Sequence, residues 1–289
     1  MDVILHSDQL TVTFSDAGAQ MCSVKNTAGR EYIWGADPAI WGRHAPTLFP
    51  LIGRLKDKQY TLEGNTWTMT NHGFARDNVF TVVEQSDTRV VFRLTENPAT
   101  LEMYPFSFAL TITYELNGNQ LQKTCTVENR DTRDMPFELG GHDGFCIPDG
   151  LMDRYTITLD GVDAITPYGM DADCMTTPKG ETIPLVDGRI PVKPMTYGLD
   201  TFILDAPAAH IAHLLDENGE PVVTLSFPGF DYLGLWNTPK PFDTNYVCIE
   251  PWTTLPDASF VGRALSDKQG IRILAPGKAE SFTYTTTFH

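Results

Sequence analysis

The chain has 289 residues, of which 42% are hydrophobic and 20% are charged, a composition typical of a globular protein rather than a disordered one. This length suits two average domains, but a single all-β domain can also be this long. The formal net charge of −16 argues against nucleic acids and anionic membranes as partners, because both bind basic surfaces.

The cysteine content and the first residues bear on location. Five cysteines are scattered without a CxxC pair, which favours a reduced compartment with buried thiols. The segment Met1–Asp8 lacks a basic stretch followed by a long apolar run. We therefore expect no signal peptide, no membrane-spanning segment and a cytoplasmic location.

Short strands are predicted for the first forty residues. Leu10–Phe14 alternates apolar and polar residues, as a half-buried strand does. Asn26–Arg30 is typical of a hairpin turn, and Glu31–Trp34 is predicted to be the returning strand.

Two irregular loops with polar chemistry follow. Trp41–Arg54 contains two prolines and two glycines, so no long regular element is expected there, and it includes Arg43 and Arg54. Asn71–Asp77 includes His72 and Arg76 and is predicted to be a second loop.

Strand patterns then recur about every ten residues, as in sandwiches and barrels. Asn117–Gly118 separates two long strand-like segments and predicts a hairpin. Residues 146–195 are rich in Pro, Gly, Asp and Thr and predict loops and short strands, whereas residues 199–288 return to strand patterns. Because no stretch shows sustained helical periodicity or a linker, we predict one large antiparallel β-sandwich domain over residues 1–289.

The segment Tyr246–Asp257 begins as a strand and places Glu250 directly before Pro251. Proline biases the preceding residue toward an extended backbone and cannot donate a ladder hydrogen bond, so we expect the strand to end there. Trp252 would then stand beside the carboxylate, an arrangement suited to a sugar. A surface glutamate at a strand end is the simpler interpretation.

His72, His142 and Glu250 share one context, in which a strand is followed by a loop with glycine or proline. Gly73, Gly140 and Gly141 are expected to adopt backbone angles closed to other residues and to let a ligand approach. A lone histidine is more often structural than catalytic. Two histidines and a carboxylate in matching contexts favour a site.

Other chemistries fit less well. Two histidines and a glutamate can bind a metal, but no HExxH or HxH spacing occurs, so we predict no metal site. A Gly-x-Ser-x-Gly motif and phosphate-binding glycine motifs are also absent. A glycosidase using Glu250 with Asp200 or Asp231 is possible in principle, but leaves the histidines without a role.

The chain resembles the aldose 1-epimerase (galactose mutarotase) superfamily, and most closely its shorter bacterial branch. The resemblance rests on motifs spread over most of the chain, namely His44–Arg54, Asn71–Arg76, Gly140–Phe145, Gly198–Phe202 and Cys248–Trp252. It implies the family's large β-sandwich, the galactose mutarotase-like supersandwich.

The resemblance also implies roles for single residues. Glu250 matches the general base and His142 the general acid, while His72 helps to hold the ring oxygen. Arg54 and Asp200 match residues that bind sugar hydroxyls, and Asp231 and Trp252 are further expected sugar contacts. No cofactor or metal is implied.

One departure concerns Asp143, where relatives have no acid beside the histidine. This acid is expected to raise the pKa of His142 or to alter specificity.

We therefore expect a mutarotase that interconverts the α and β anomers of a hexose such as galactose or glucose, acting as a monomer or homodimer. One alternative is a hexose 6-phosphate, held by Arg43, Arg54 or Arg76. The other is a sugar-binding protein without turnover.

Overall fold

The computed structural model describes residues 2–192, 201–238, 244–258 and 260–289. In chain order the first strands are β1 Asp2–His6, β2 Leu10–Ser15, β3 Gln20–Asn26, β4 Thr47–Leu48, β5 Gln59–Leu62, β6 Asn65–Thr68, β7 Thr81–Gln85, β8 Arg89–Thr95, β9 Phe108–Asn117, β10 Gln120–Asn129, β11 Met135–Phe137, β12 Gly140–Gly141 and β13 Asp143–Cys146. They are followed by β14 Thr156–Leu159, β15 Ala164–Ile165, β16 Tyr168–Met170, β17 Thr176–Lys179, β18 Ile183–Pro184, β19 Arg189–Pro191, β20 Thr201–Asp205, β21 Ile211–Leu215, β22 Pro221–Ser226, β23 Tyr232–Trp236, β24 Tyr246–Trp252, β25 Arg272–Leu274 and β26 Ala279–Phe288.

Helical structure in the described ranges is slight. One α-helix, α1, covers Pro98–Met103, and single 3₁₀ turns cover Lys56–Lys58, Ala75–Asp77 and Leu265–Asp267. Within the same ranges, no helix has the length and apolar character needed to cross a membrane.

Two large antiparallel sheets contain most of the strands in the described residues. The first has nine strands in the order β19-β14-β21-β22-β26-β10-β9-β8-β7. The second has eight strands in the order β17-β16-β20-β23-β24-β12-β4, with β13 also pairing with β24. The prediction of a large antiparallel β-sandwich is confirmed.

The main apolar core lies between these sheets. It includes Ile112 and Leu225 from the nine-stranded sheet and Leu233 and Val247 from the eight-stranded sheet. Burial of a side chain of this size contributes about 1.5–3 kcal/mol. The inner faces of both sheets therefore stabilise each other.

Local sequence explains the longest hairpin. Asn117 of β9 lies opposite Gln120 of β10, which leaves a two-residue loop in which Gly118 has a φ of 56°. Glycine takes this left-handed angle without steric cost, so the predicted hairpin is confirmed.

The predicted strand Glu31–Trp34 is wrong. Only isolated bridges form there, between Glu31 and Lys25 and between Ile33 and Phe145. The Glu31 carboxylate accepts hydrogen bonds from the backbone N–H groups of Val24, Tyr32 and Ile33. These bonds replace a regular ladder.

Candidate active site

Strand β24 presents its side chains alternately to the two sides of the eight-stranded sheet. Val247 and Ile249 belong to the main core. Glu250 and Trp252 point to the other side, as the two-residue period of a strand requires. Loops cover that side too, so Glu250 is only 1% exposed. The interpretation of Glu250 as a surface residue is therefore wrong.

The prediction that Pro251 ends this strand is also wrong. β24 continues to Trp252, and Pro251 lies opposite Leu233 of β23. On its other side, β24 pairs with β13 as far as Ile249 and with β12 at Trp252. Pro251 falls where the partner changes, so its missing N–H does not interrupt a continuous ladder. Glu250 thus lies inside a central strand.

Sheet register brings His142 next to Glu250. β12 and β13 pair with β24 in one continuous register, in which Gly140 lies opposite Trp252. The strands are antiparallel, so His142, two residues after Gly140, lies opposite Glu250, two residues before Trp252. Opposed side chains share one face of a sheet. The His142 Nε2 atom is 3.3 Å from Glu250 Oε2, without hydrogen-bond geometry. The fold therefore pairs the two predicted catalytic groups.

Two tryptophans hold the His142 ring. Trp41 stacks on it at a centroid distance of 4.9 Å, and Trp236 meets it edge-on at 5.5 Å. The other ring nitrogen, His142 Nδ1, is buried and has no hydrogen-bond partner among the described residues. The stacked indole fixes the ring plane and so directs Nε2 toward Glu250.

The glycines before His142 provide space rather than backbone freedom. A Cβ on Gly140 would lie 2.7 Å from the Trp252 ring, and one on Gly141 would lie 2.6 Å from the Tyr284 hydroxyl. Neither glycine has a left-handed φ, so the expectation of unusual angles is wrong for both. Their role is to let two aromatic rings approach the strand.

Asp143 contacts the nine-stranded sheet and does not line the cavity. Its two carboxylate oxygens lie 3.1 and 2.9 Å from the Tyr284 hydroxyl, which donates to them. The pKa of His142 is lowered to about 3, mainly by burial and then by Arg76. The expectation that Asp143 raises this pKa is therefore wrong.

His72 is fixed by a reciprocal contact with Gly53. The Gly53 N–H donates to His72 Nδ1 at 3.1 Å, and the His72 N–H donates to the Gly53 carbonyl at 2.7 Å. Because Nδ1 accepts, the proton of the neutral ring is on Nε2. The ring centroid lies 5.4 Å from that of His142. His72 thus offers a donor next to the pair.

The backbone around His72 is tightly constrained. His72 has a φ of 61° and Gly73 a φ of 70°. A Cβ on Gly73 would lie 2.2 Å from the Phe49 carbonyl oxygen. Here the predicted glycine role, an angle closed to other residues, is confirmed.

Burial drives the acid and the bases of this site to their neutral forms. It raises the pKa of Glu250 well above its usual range, an effect that Trp252 opposes and Asp143 reinforces. It also lowers the pKa of His72 well below its usual value, with His142 and nearby arginines adding to the effect. These shifts favour an uncharged imidazole at both histidines and a protonated carboxyl group at Glu250.

These groups open into a cavity of about 350 Å³. It is lined by Trp41, Gly53, Arg54, Asn71, His72, Arg76, His142, Met170, Cys174, Thr201, Trp236, Glu250, Trp252 and Pro256. Glu250 is the only acidic residue among the described lining residues, whereas two arginines, Arg54 and Arg76, line the cavity. The volume is within the range of small-molecule sites.

Several lining residues were not predicted. Trp41 and Asn71 are the first residues of the two loops that carry predicted site residues, so their place in the sequence could have marked them as lining residues. Met170 and Cys174 come from residues 146–195, where irregular short strands gave no such signal. Thr201 lies within one of the motifs that carry the resemblance.

One predicted sugar contact is not brought to the cavity. Asp231 points elsewhere, since its carboxylate accepts a hydrogen bond from Arg272 at 2.6 Å and its side chain is 56% exposed. Asp200 lies outside the described residues.

A set of atoms beside the cavity could hold a metal ion. The ligand atoms of His142, Cys248 and Glu250 lie within 4.8 Å of one another. Burial raises the pKa of the Cys248 thiol well above its usual value, so an ion bound here would have to displace the thiol proton.

Comparisons with known proteins agree with this architecture. The profile of the family Aldose 1-epimerase matches residues 1–285. Protein LacX of Lactococcus lactis is 27% identical over 299 residues, covering 99% of each chain. A galactose mutarotase related enzyme from Lactobacillus acidophilus superposes with a TM-score of 0.94 at 30% identity, covering 100% of this chain and 97% of the other. A galactose mutarotase-like protein from Lactobacillus casei gives 0.91 at 30% identity, with 100% of both chains covered.

Proposed function

Because this chain belongs to the aldose 1-epimerase family, we propose that it interconverts the α and β anomers of a hexose such as galactose or glucose. The observation that carries this proposal is the buried pair of His142 and Glu250, 3.3 Å apart, at the wall of a cavity of about 350 Å³. Anomer exchange needs one group that accepts a proton and one that donates a proton.

The proposed reaction begins with the proton of the neutral Glu250 carboxyl group. Its transfer from Glu250 to His142 leaves a carboxylate beside an imidazolium. Glu250 then removes the proton from the C1 hydroxyl while His142 protonates the ring oxygen, and the C1–ring oxygen bond breaks to give the open aldehyde. Rotation about C1–C2 and reclosure in the reverse sense produce the other anomer and restore both groups.

The remaining lining residues are suited to hold a sugar. Trp252 presents an indole for the C–H face of the ring, and His72 Nε2–H offers a donor to the ring oxygen. Asn71 Oδ1 is buried without a hydrogen-bond partner among the described residues, and the buried Arg76 Nε is 3.7 Å from Asp77 Oδ2, beyond hydrogen-bond distance. Buried polar atoms are costly when unpaired, so hydroxyl groups of a bound sugar would stabilise this wall.

The direct test is polarimetry of freshly dissolved α-glucose and α-galactose, with and without catalytic amounts of the protein. We expect faster relaxation to the same final rotation with at least one of the two sugars. Heat-denatured protein controls for catalysis by buffer. Relaxation at the uncatalysed rate with both sugars would contradict the proposal for neutral hexoses.

A second candidate substrate is a hexose 6-phosphate, and the charge of the cavity favours it. Arg54 and Arg76 line the cavity, and burial lowers the pKa of Arg76 only to about 10, so it is still protonated at neutral pH. Arginine guanidinium groups bind phosphate well. Exchange NMR with glucose 6-phosphate tests this candidate, which predicts faster exchange than with glucose at equal concentration.

A sugar-binding protein without turnover is the alternative from a different class. It predicts binding in calorimetric titration without any acceleration of anomer exchange. The His142–Glu250 pair favours catalysis, because a binding site needs no paired acid and base. The cytoplasmic location and the choice between monomer and homodimer stay predictions.

A further inference from the structure

Three charged side chains form a buried cluster next to the cavity. Lys268, which is 5% exposed, lies between Glu138, at 0%, and Asp257, at 7%. Its Nζ atom is 3.3 Å from Glu138 Oε1 and 3.7 Å from Asp257 Oδ1. We call these residues the buried triad. Breaking one partner of such a buried ion network leaves an uncompensated charge, so its members depend on one another.

Each carboxylate of the buried triad also accepts a hydrogen bond from the backbone of one short loop. The Ile52 N–H donates to Glu138 Oε2 at 2.7 Å. The Lys56 N–H donates to Asp257 Oδ2 at 3.0 Å. Lys268 thus joins two carboxylates that hold the two ends of the segment 52–56.

Arg54 is the central residue of that segment and lines the cavity. Its neighbour Gly53 has a φ of 69°, and a Cβ there would lie 2.5 Å from Pro256. Gly53 also exchanges two hydrogen bonds with His72. The backbone around residue 54 is therefore fixed at both ends by the carboxylates of the buried triad. It is also fixed at Gly53 by the contacts with His72 and Pro256. In the part of the chain that the structure describes, the Arg54 side chain itself makes no ion pair.

We propose that Glu138, Lys268 and Asp257 are positioning residues that fix the segment 52–56 and thereby aim Arg54 at the substrate. This inference rests on the proposed function, in which Arg54 binds the sugar. None of the three triad residues lines the cavity, so they act through the loop rather than through substrate contact.

Two variants separate positioning from general stability. Glu138→Gln keeps an acceptor for Ile52 but removes the charge that pairs with Lys268. The triple variant Glu138→Gln, Lys268→Met and Asp257→Asn removes all three charges, keeps similar volumes and keeps an acceptor for the Lys56 N–H, a change that buried ion networks often tolerate in stability. It still breaks the link between the two ends of the loop.

The kinetic prediction is a rise in KM of about tenfold in both variants, with kcat changed by less than about twofold. In an Arg54→Ala background the same substitutions should raise KM no further, because the group they position is gone. Leu225→Ala, in the core of the nine-stranded sheet, is the matched control: it should lower stability and leave KM unchanged. Additive effects of Glu138→Gln and Arg54→Ala would overturn the proposal.

Amide hydrogen exchange provides a readout that does not depend on turnover. In both variants, without sugar, the Ile52 and Lys56 amides should exchange faster than in the wild type, and the amides of other loops should exchange at the wild-type rate. In the Leu225→Ala protein, the Ile52 and Lys56 amides should show no such selective change. If the wild-type protein has no mutarotase activity, the proposed function is wrong. The exchange result alone then tests whether the buried triad positions the segment 52–56. Unchanged exchange at both amides would overturn it.

Discussion

Glu250 and His142 show how one physical effect acts on opposite charges. Burial disfavours the carboxylate of one and the imidazolium of the other, so it shifts both groups toward their neutral forms. The sequence motifs predicted both residues through the family resemblance. Their burial and their opposition across two strands could not be predicted, because a strand end and a strand centre give the same local pattern around Pro251.

We expect Glu250→Gln to lower kcat by about 10²–10⁴-fold, the usual contribution of a positioned acid or base. The amide has nearly the same shape, so the affinity for sugar should change little. Exchange NMR measures the rate, and calorimetric titration measures binding. Glu217→Gln, at an exposed position, is the matched control. A normal rate in Glu250→Gln would mean that another residue is the base.

The same substitution should stabilise the fold at neutral pH. The pKa of Glu250 is raised above its usual 4.5, so the stabilising contribution of its neutral form is present below pH 4.5 and is lost as the pH rises toward the raised pKa. Glutamine keeps that neutral form at every pH. We expect Tm of Glu250→Gln to exceed that of the wild type by roughly 2–6 °C at pH 8, with a smaller difference at pH 5. A difference that does not change with pH would contradict this account.

At the scale of elements, the packing around β12 and β13 depends on two glycines. Gly140 and Gly141 let the Trp252 and Tyr284 rings pack against the strand that carries His142. The sequence indicated that these glycines matter but predicted an unusual backbone angle as the reason. The contacts that require them come from residues more than a hundred positions away, which local sequence does not reveal.

Gly141→Ala should destabilise the protein by about 1–3 kcal/mol, since its methyl group would overlap the Tyr284 hydroxyl. The required shift moves the strand that holds His142, so activity should fall with stability. Denaturant unfolding and polarimetry measure the two effects. Gly35→Ala, where nothing lies within 4 Å of the added atom, should change neither quantity. Equal effects of the two variants would refute the packing argument.

At the scale of the whole molecule, alternating hydrophobic patterns and turn residues were enough to predict a large antiparallel sandwich. They did not determine the order of the strands, because sheet order depends on which edges pair over long distances. For the same reason Asp231 was grouped with the site although it pairs with Arg272. Of the loops that line the cavity, only those that contain the motifs of the family resemblance could be predicted.

We propose that the two sheets unfold together, because residues of both share the main apolar core. Differential scanning calorimetry should then show one transition with a ratio of calorimetric to van't Hoff enthalpy near one. Two separable transitions would contradict the prediction of a single domain over residues 1–289.

The stacking of Trp41 on His142 has an optical consequence. Three of the five tryptophans, Trp41, Trp236 and Trp252, line the cavity. Indole fluorescence depends on contact with water and on a neighbouring imidazolium, which quenches it. The emission spectrum of the unlabelled protein should therefore report both the entry of a ligand and the protonation of His142.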